Sequence, residues 1–172
     1  MSRELILVDR HDNVIGYGEK LEIHRQGKLH RGFSIFVINK NNELMLHRRA
    51  FSKYHSGGLW ANTCCSHPLR DEVLEKTVHD RLRYEMGFNC DLEDLYQFIY
   101  HVTLDNDLTE HELDRVYLGT YDQSPKPNPN EVADWKWMDI DKLRQDLIQN
   151  PNIYVYWLKE AFEQFYQATQ NK

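Results

Sequence analysis

Apolar residues recur along this chain at two different spacings, and the change from one to the other marks out its elements. Residues 5–8 and 14–17 are short apolar-rich runs on either side of Asp9-Arg10-His11-Asp12-Asn13. Such a cluster of turn formers predicts two strands joined by a reverse turn. Residues 33–38 form a dense apolar run, and 43–47 follow the turn Asn39-Lys40-Asn41-Asn42, which predicts a second hairpin. The spacing then lengthens to four: Leu74, Val78 and Leu82 share one stripe of a helix expected over 71–86. Asp71 is expected to cap it, Glu72 and Glu75 to suit its positive end, and Gly87 to stop it. Further strands are expected over 95–102, 112–121 and 134–138, with closing helices over 141–149 and 153–170. Residues 124–129 read as a loop, because Pro125, Pro127 and Pro129 forbid a ladder. Strands, a central helix, strands again and terminal helices give an α+β sandwich in a single domain, 1–172.

The bulk numbers narrow the function more than the fold. A chain of 172 residues can bury a real core, and 41% hydrophobic residues with ten Tyr and four Trp exclude a disordered one. The formal charge of -6 argues against nucleic acid, since a binder needs a clustered basic face to neutralise phosphates. Local basic groups can still hold a small anion. No apolar run approaches the roughly 20 residues that span a bilayer. Arg3 and Glu4 come too early for a signal peptide. Three cysteines, two of them adjacent, make neither a disulfide framework nor the CxxC pairs of a structural zinc site. The expectation is a cytoplasmic protein with no nucleic-acid or membrane partner, and no protein partner is implied.

Two short clusters carry the chemistry: Asn62-Thr63-Cys64-Cys65-Ser66-His67-Pro68 and Glu110-His111-Glu112. Strand side chains alternate, so Cys65 and His67 share one face of an extended segment, as do Glu110 and Glu112. Cys64 then points the other way, and Cys90 reads as a small buried hydrophobe. His24, His30, His67, Glu110 and Glu112 offer the nitrogen and oxygen donors that suit Zn, Mn or Fe better than Ca. The ordinary alternative is nine histidines scattered over a surface. Lys20, Arg48, Arg49, Lys53 and Arg81 are candidate anion ligands, Arg as a planar fork and Lys as a point charge. Arg81 and Glu85, four apart on a helix, either form a surface pair or leave Glu85 to hold Mg²⁺ against a diphosphate. Cys65 is a candidate base, because nearby cations favour a thiolate.

Glu19-Lys20 with His24, Leu29-His30-Arg31, Arg48-Arg49-Ala50-Phe51-Ser52-Lys53, the Cys64-Cys65 segment, Arg83-Tyr84-Glu85-Met86-Gly87 and Glu110-His111-Glu112 occur here in the order that marks one family. The chain resembles, over nearly its whole length, the type I isopentenyl-diphosphate isomerases of the Nudix superfamily. The resemblance implies a Nudix-like α/β/α sandwich around a mixed β-sheet with additional C-terminal helices. It also shows an eroded hydrolase box, Gly-x5-Glu-x7-Arg-Glu-x-x-Glu-Glu-x-Gly. Ser66 stands at its first glycine, Asp80 and Arg81 replace Arg-Glu, and Tyr84 replaces one of the paired glutamates. Glu85 survives beside Gly87. Losing that carboxylate cluster while gaining Cys65 argues against a diphosphohydrolase. A metal-stabilised binding domain is the remaining competitor.

The implied activity interconverts isopentenyl diphosphate and dimethylallyl diphosphate by protonation and deprotonation through a tertiary carbocation. His24, His30, His67, Glu110 and Glu112 are implied to hold one divalent metal (Mn, Zn or Mg), and Glu85 to bind Mg²⁺ that the substrate diphosphate completes. Lys20, Arg49, Lys53 and Arg81 would grip that diphosphate. Glu112, helped by Tyr100, would protonate the alkene, Cys65 would take the C2 proton, and the face of Trp157 would steady the cation. One departure stands out: Gly57 occupies a position where relatives commonly carry proline, which predicts a looser loop ahead of Cys65.

Overall fold

The dense apolar run becomes the middle of the sheet. A computed structural model describes residues 3–170, with nine strands and four helices among them. The chain opens with β1 (Glu4–Val8), β2 (Val14–Glu19), α1 (Lys20–Gln26), β3 (His30–Ile38) and β4 (Glu43–Arg49). It continues through β5 (Trp60–Ala61), β6 (Cys64–Ser66), α2 (Leu74–Met86), β7 (Leu92–Thr103) and β8 (Thr109–Thr120). β9 (Val132–Asp139), α3 (Ile140–Gln149) and α4 (Tyr156–Gln170) close it. β3 runs parallel to β8 from His30↔Glu112 to Ile38↔Thr120, and β7 folds back antiparallel on β8. Its alternate side chains enter two cores, which is why the run reads as continuously apolar. Phe33, Ile35 and Val37 pack with Val78, Leu82 and Met86 of α2. Phe36 packs on the opposite face with Ile140 and Leu143 of α3 and Phe162 and Phe165 of α4. The layers are therefore helix, mixed sheet, helix. No helix among the described residues is long and apolar enough to cross a membrane.

The expected second hairpin holds only at its turn. β4 touches β3 at Ile38↔Leu44 and then leaves to pair with β9 from Glu43↔Asp139 to Arg49↔Val132. The Asn62-Thr63 segment wedges the two strands apart. The Thr63 hydroxyl accepts from Val37 N–H at 2.8 Å and donates to the Met45 carbonyl at 2.7 Å, so one side chain stands in for the missing ladder. Asn62 Nδ2 donates to the carbonyls of Ile35 and Cys64 at 3.1 and 3.0 Å. β6 follows at once and pairs with β3 from Phe33↔Ser66 to Ile35↔Cys64, which fixes Cys65 opposite Ser34.

Two further expectations need correcting. Asp71 does not cap α2: it sits at φ 67, and the helix starts at Leu74. Glu72 does the local work instead, accepting from Leu69 N–H at 2.9 Å and from the Thr77 hydroxyl at 3.3 Å. α1 was not legible as a helix. Glu19 caps it by accepting from Glu22 N–H at 3.0 Å, and Gly27 ends it at φ 61.

Gly87 does stop α2, at φ 74, with its N–H on the Arg83 carbonyl. The proline-rich loop completes the cap: between its prolines, Lys126 and Asn128 donate to the carbonyls of Met86 and Glu85, both at 2.9 Å. A Cβ on Gly87 would lie 2.2 Å from the Lys126 carbonyl oxygen. Gly87→Ala is therefore expected to cost about 2–4 kcal/mol, from a left-handed backbone and a steric clash that the loop must relieve. Urea unfolding checks this, and a loss below about 0.5 kcal/mol, the range of an ordinary surface change, would contradict the tight contact.

Candidate active site

α1, the start of β3, the residues after β6 and the start of β8 deliver three histidines and two carboxylates to one buried spot. Ligand atoms of His24, His30, His67 and Glu110 all lie within 4.8 Å of one another. Glu112 joins them, 3.7 Å from His30 Nε2 and in direct contact with His67 Nε2. His24 and His30 are pre-oriented from behind: their Nδ1 atoms donate to the carbonyls of Lys20 and Lys28 at 2.6 and 2.9 Å. That leaves each Nε2 lone pair aimed at the carboxylates, the arrangement by which outer partners prepare a histidine ligand. His30 Nε2 and Glu110 Oε2 stand 3.7 Å apart, buried and without a hydrogen-bond partner. A cation between them would satisfy both, so the donor set fits a divalent metal. Room for Glu112 comes from Gly32, where a Cβ would sit 2.5 Å from Glu112 Oε2.

The electrostatics tell the same story. Burial opposes a charged His30, but Glu110 and Glu112 outweigh it and raise its pKa to about 10. Burial would raise Glu110, yet His24, His30 and His55 hold it well below the usual carboxylate range. Glu112 is likewise lowered against burial, chiefly by His67, and burial pushes His67 down to about 4.

The cluster forms the floor of a pocket lined on its other sides by Lys20, Arg49, Lys53, Cys65, Arg81, Glu85, Tyr100 and Trp157. All of these were expected at the site, and the fold brings them together. Arg48 is not among them: its Nε donates to the Gly58 carbonyl at 2.8 Å and its guanidinium covers Phe51. Arg81 and Glu85 are bonded, but not as a surface pair, since Glu85 is 5% exposed. Burial raises the Glu85 pKa against the pull of Arg81. Lys53 is paired with Glu131, and Arg81 lies 4.0 Å from the same carboxylate. Arg49 stacks 5.2 Å from the Trp157 ring centroid, and its Nε is buried without a partner.

Cys65 faces the pocket, whereas Cys64 is wholly buried in the α2 core, as alternation requires. The expected thiolate is not what the site favours. Burial pushes the Cys65 pKa to about 12, and Arg49 opposes it only in part. Tyr100 is buried opposite Glu112 on β7, and burial with that carboxylate raises its phenol further. Trp157, in the first turn of α4, is 4% exposed. Sequence reasoning missed His47, Tyr54, His55, Ser66 and Glu131, which also line the pocket. Ser66 lay inside a motif already singled out, but strand alternation with Cys65 assigns it to the other face; the others had no local signal.

Residues 28–158 match the NUDIX domain family. The chain is 48% identical over 160 residues to a protein of Photorhabdus laumondii named "Isopentenyl-diphosphate Delta-isomerase 2", covering 93% of this chain and 90% of that one. It is 45% identical over 163 residues to a protein of Aromatoleum aromaticum with the same name, covering 95% and 86%. Among solved structures it resembles DR0079 of Deinococcus radiodurans, with a TM-score of 0.79 at 20% identity over 94% of this chain and 98% of that one. The MutT protein of Methanosarcina mazei gives a TM-score of 0.67 at 19% identity over 84% and 96%. These two likenesses speak for the fold alone.

His47 yields a stability prediction. It is 2% exposed with Nδ1 donating to the Asn62 carbonyl at 2.6 Å, and burial, aided by Arg49, lowers its pKa from 6.5 to about 4. Between those values the unfolded chain binds a proton that the folded chain refuses. Its contribution is thus complete above about pH 6.5 and is lost as pH falls toward 4, at up to about 1.4 kcal/mol per pH unit. His47→Asn keeps the donor and removes the titration. Its unfolding free energy should fall less steeply than the wild type's over that window, and parallel curves would contradict the assignment.

Proposed function

We propose a division of roles within the pocket of a chain that belongs to the Nudix family and, within it, to the isopentenyl-diphosphate Delta-isomerases. The protein interconverts isopentenyl diphosphate and dimethylallyl diphosphate in isoprenoid synthesis. The observation that carries the assignment is the convergence of Cys65, Glu112, Tyr100 and Trp157 on one pocket that also contains Lys20, Arg49, Lys53 and Arg81.

The cationic group binds the diphosphate and sets the five-carbon chain against the dry wall. The Glu112 carboxyl, with the Tyr100 hydroxyl beside it, gives its proton to the terminal alkene carbon. The alkene electron pair forms the new C–H bond and leaves a tertiary cation at C3. The Cys65 sulfur, as the thiolate, takes a proton from C2 and becomes the thiol, and the released C–H pair becomes the new double bond. Glu112 ends as a carboxylate and Cys65 as a thiol, the states the free pocket favours; the reverse direction starts from them, and the forward direction starts once one proton has passed from Cys65 to Glu112. Acid and base catalysis by placed groups contributes roughly 10²–10⁴-fold each. The Trp157 face offers the cation about 2 kcal/mol when desolvated, without a nucleophile that would trap it. Mn, Zn or Mg held by His24, His30, His67, Glu110 and Glu112 would set the geometry and proton affinity of Glu112, while Mg²⁺ at Glu85 would offset diphosphate charge.

Proton NMR of isopentenyl diphosphate with the protein and Mg²⁺ in D₂O should show deuterated dimethylallyl diphosphate. Phosphate release with an unchanged alkene would move the chain to the hydrolases. Cys65→Ala and Glu112→Gln are each expected to reduce turnover by at least about 10³-fold, within the loss expected of one placed acid or base, with folding intact by circular dichroism. Substantial turnover in either variant would remove that residue from the mechanism.

A further inference from the structure

His55 belongs to none of the motifs that mark the site, yet it lies inside it. It is 7% exposed and its Nε2 stands 3.3 Å from Glu110 Oε1. The same oxygen is 3.1 Å from His24 Nε2, so two imidazoles approach one carboxylate oxygen. A neutral ring donates to it only if its proton sits on Nε2, and the partner at Nδ1 decides that. His24 already spends its ring N–H on the Lys20 carbonyl, which leaves a lone pair at Nε2. His55 has the opposite arrangement. Its Nδ1 lies 3.2 Å from the Ser56 hydroxyl, which can donate to it, leaving the proton on Nε2 and facing Glu110.

The ring is also held in place. It meets the Trp157 ring edge-on at 6.0 Å and 82°, and the Tyr54 ring at 4.7 Å. Arg49 Nη2 donates to its carbonyl at 3.3 Å. The loop behind it turns sharply: Ser56 and Gly58 have φ of 52° and 78°, and a Cβ on Gly57 would lie 2.8 Å from the Phe51 carbonyl oxygen. A side chain at Gly57 would therefore press on the backbone of Phe51.

From this geometry we infer that His55 is a positioning residue of the metal site, holding Glu110 through an Nε2–H donated to Oε1 so that Oε2 is presented to the ion. The inference rests on the proposed metal site. It also joins that site to the Trp157 wall, because one ring contacts both.

Titration of the metal-free full chain with Mn²⁺, followed by the electron paramagnetic resonance signal of the free ion, tests it without reference to turnover. The wild type should bind one ion; no binding would overturn the metal site itself. His55→Ala should weaken binding by roughly 10–100-fold, the usual effect of removing an outer partner. His55→Gln, whose amide can donate from nearly the same place, should recover affinity to within about threefold of wild type. Wild-type affinity in the Ala variant would overturn the inference. A Gln variant as weak as the Ala one would also overturn it, by making His55 a direct ligand.

Discussion

Glu110, Glu112 and Asp114 alternate along one face of β8, and all three are buried, at 2%, 7% and 1% exposure. Three adjacent carboxyl groups out of water demand compensation, because an unpaired buried charge costs several kcal/mol. Much of the surrounding structure supplies it. His24, His30, His55 and His67 surround the first two, and α1 exists in the right place to bring His24 there. Asp114 is treated differently: burial, with Glu112 close by, raises its pKa well above the usual range, and it accepts the Ser34 hydroxyl at 2.7 Å. The parallel register of β3 on β8 makes this work. It sets His30 beside Glu112 and puts Gly32, which has no side chain to collide with that carboxylate, one position further along the same face.

What the sequence revealed follows from how local each signal is. Alternation alone placed Cys65 with His67 and Glu110 with Glu112, since both segments are extended or nearly so and the side-chain period of a strand is two. The stripe of Leu74, Val78 and Leu82 found α2, because one helix face packs on one side of the sheet. Its start was misplaced: Asp71 has the chemistry of a cap but takes a left-handed turn after Leu69, where Glu72 bonds. α1 is seven residues long, with only Ile23 and His24 buried, so it carries no amphipathic pattern to detect. His47 and His55 enter the site through long-range contacts with Asn62 and Glu110, and no local spacing encodes these.

The box of the central helix shows how one fold shifts its chemistry. Of the glutamates that a hydrolase gathers there, α2 turns only Glu85 into the pocket, and Arg81 neutralises it in place. The acidic groups that matter have moved to β8, where they face histidines rather than a row of further carboxylates. A site with one acid at the diphosphate end can still share a cation with phosphate oxygens. It has far less means to assemble the several ions and the water that hydrolysis would need.

The pocket itself is graded in polarity. Side chains of Lys53 and Arg81 are 25% and 31% exposed, and Glu131 beside them 17%. Tyr100 and Trp157, 5% and 4% exposed, form the drier wall. A substrate with two phosphates at one end and a five-carbon alkene at the other matches that gradient in only one orientation. The charged end stays where water and cations can solvate it. In the proposed mechanism the alkene is carried to the place where a carbocation can form beside aromatic faces with little water to capture it. Orientation and protection thus come from a single arrangement, since reversing the substrate would bury two phosphates against Trp157 and leave the alkene among charges. The same burial that protects the cation raises Cys65 and Tyr100 above their ordinary pKa values. A pocket dry enough to tolerate the intermediate is therefore one that holds the Cys65 thiol and the Tyr100 phenol protonated, while His67 keeps Glu112 on the carboxylate side.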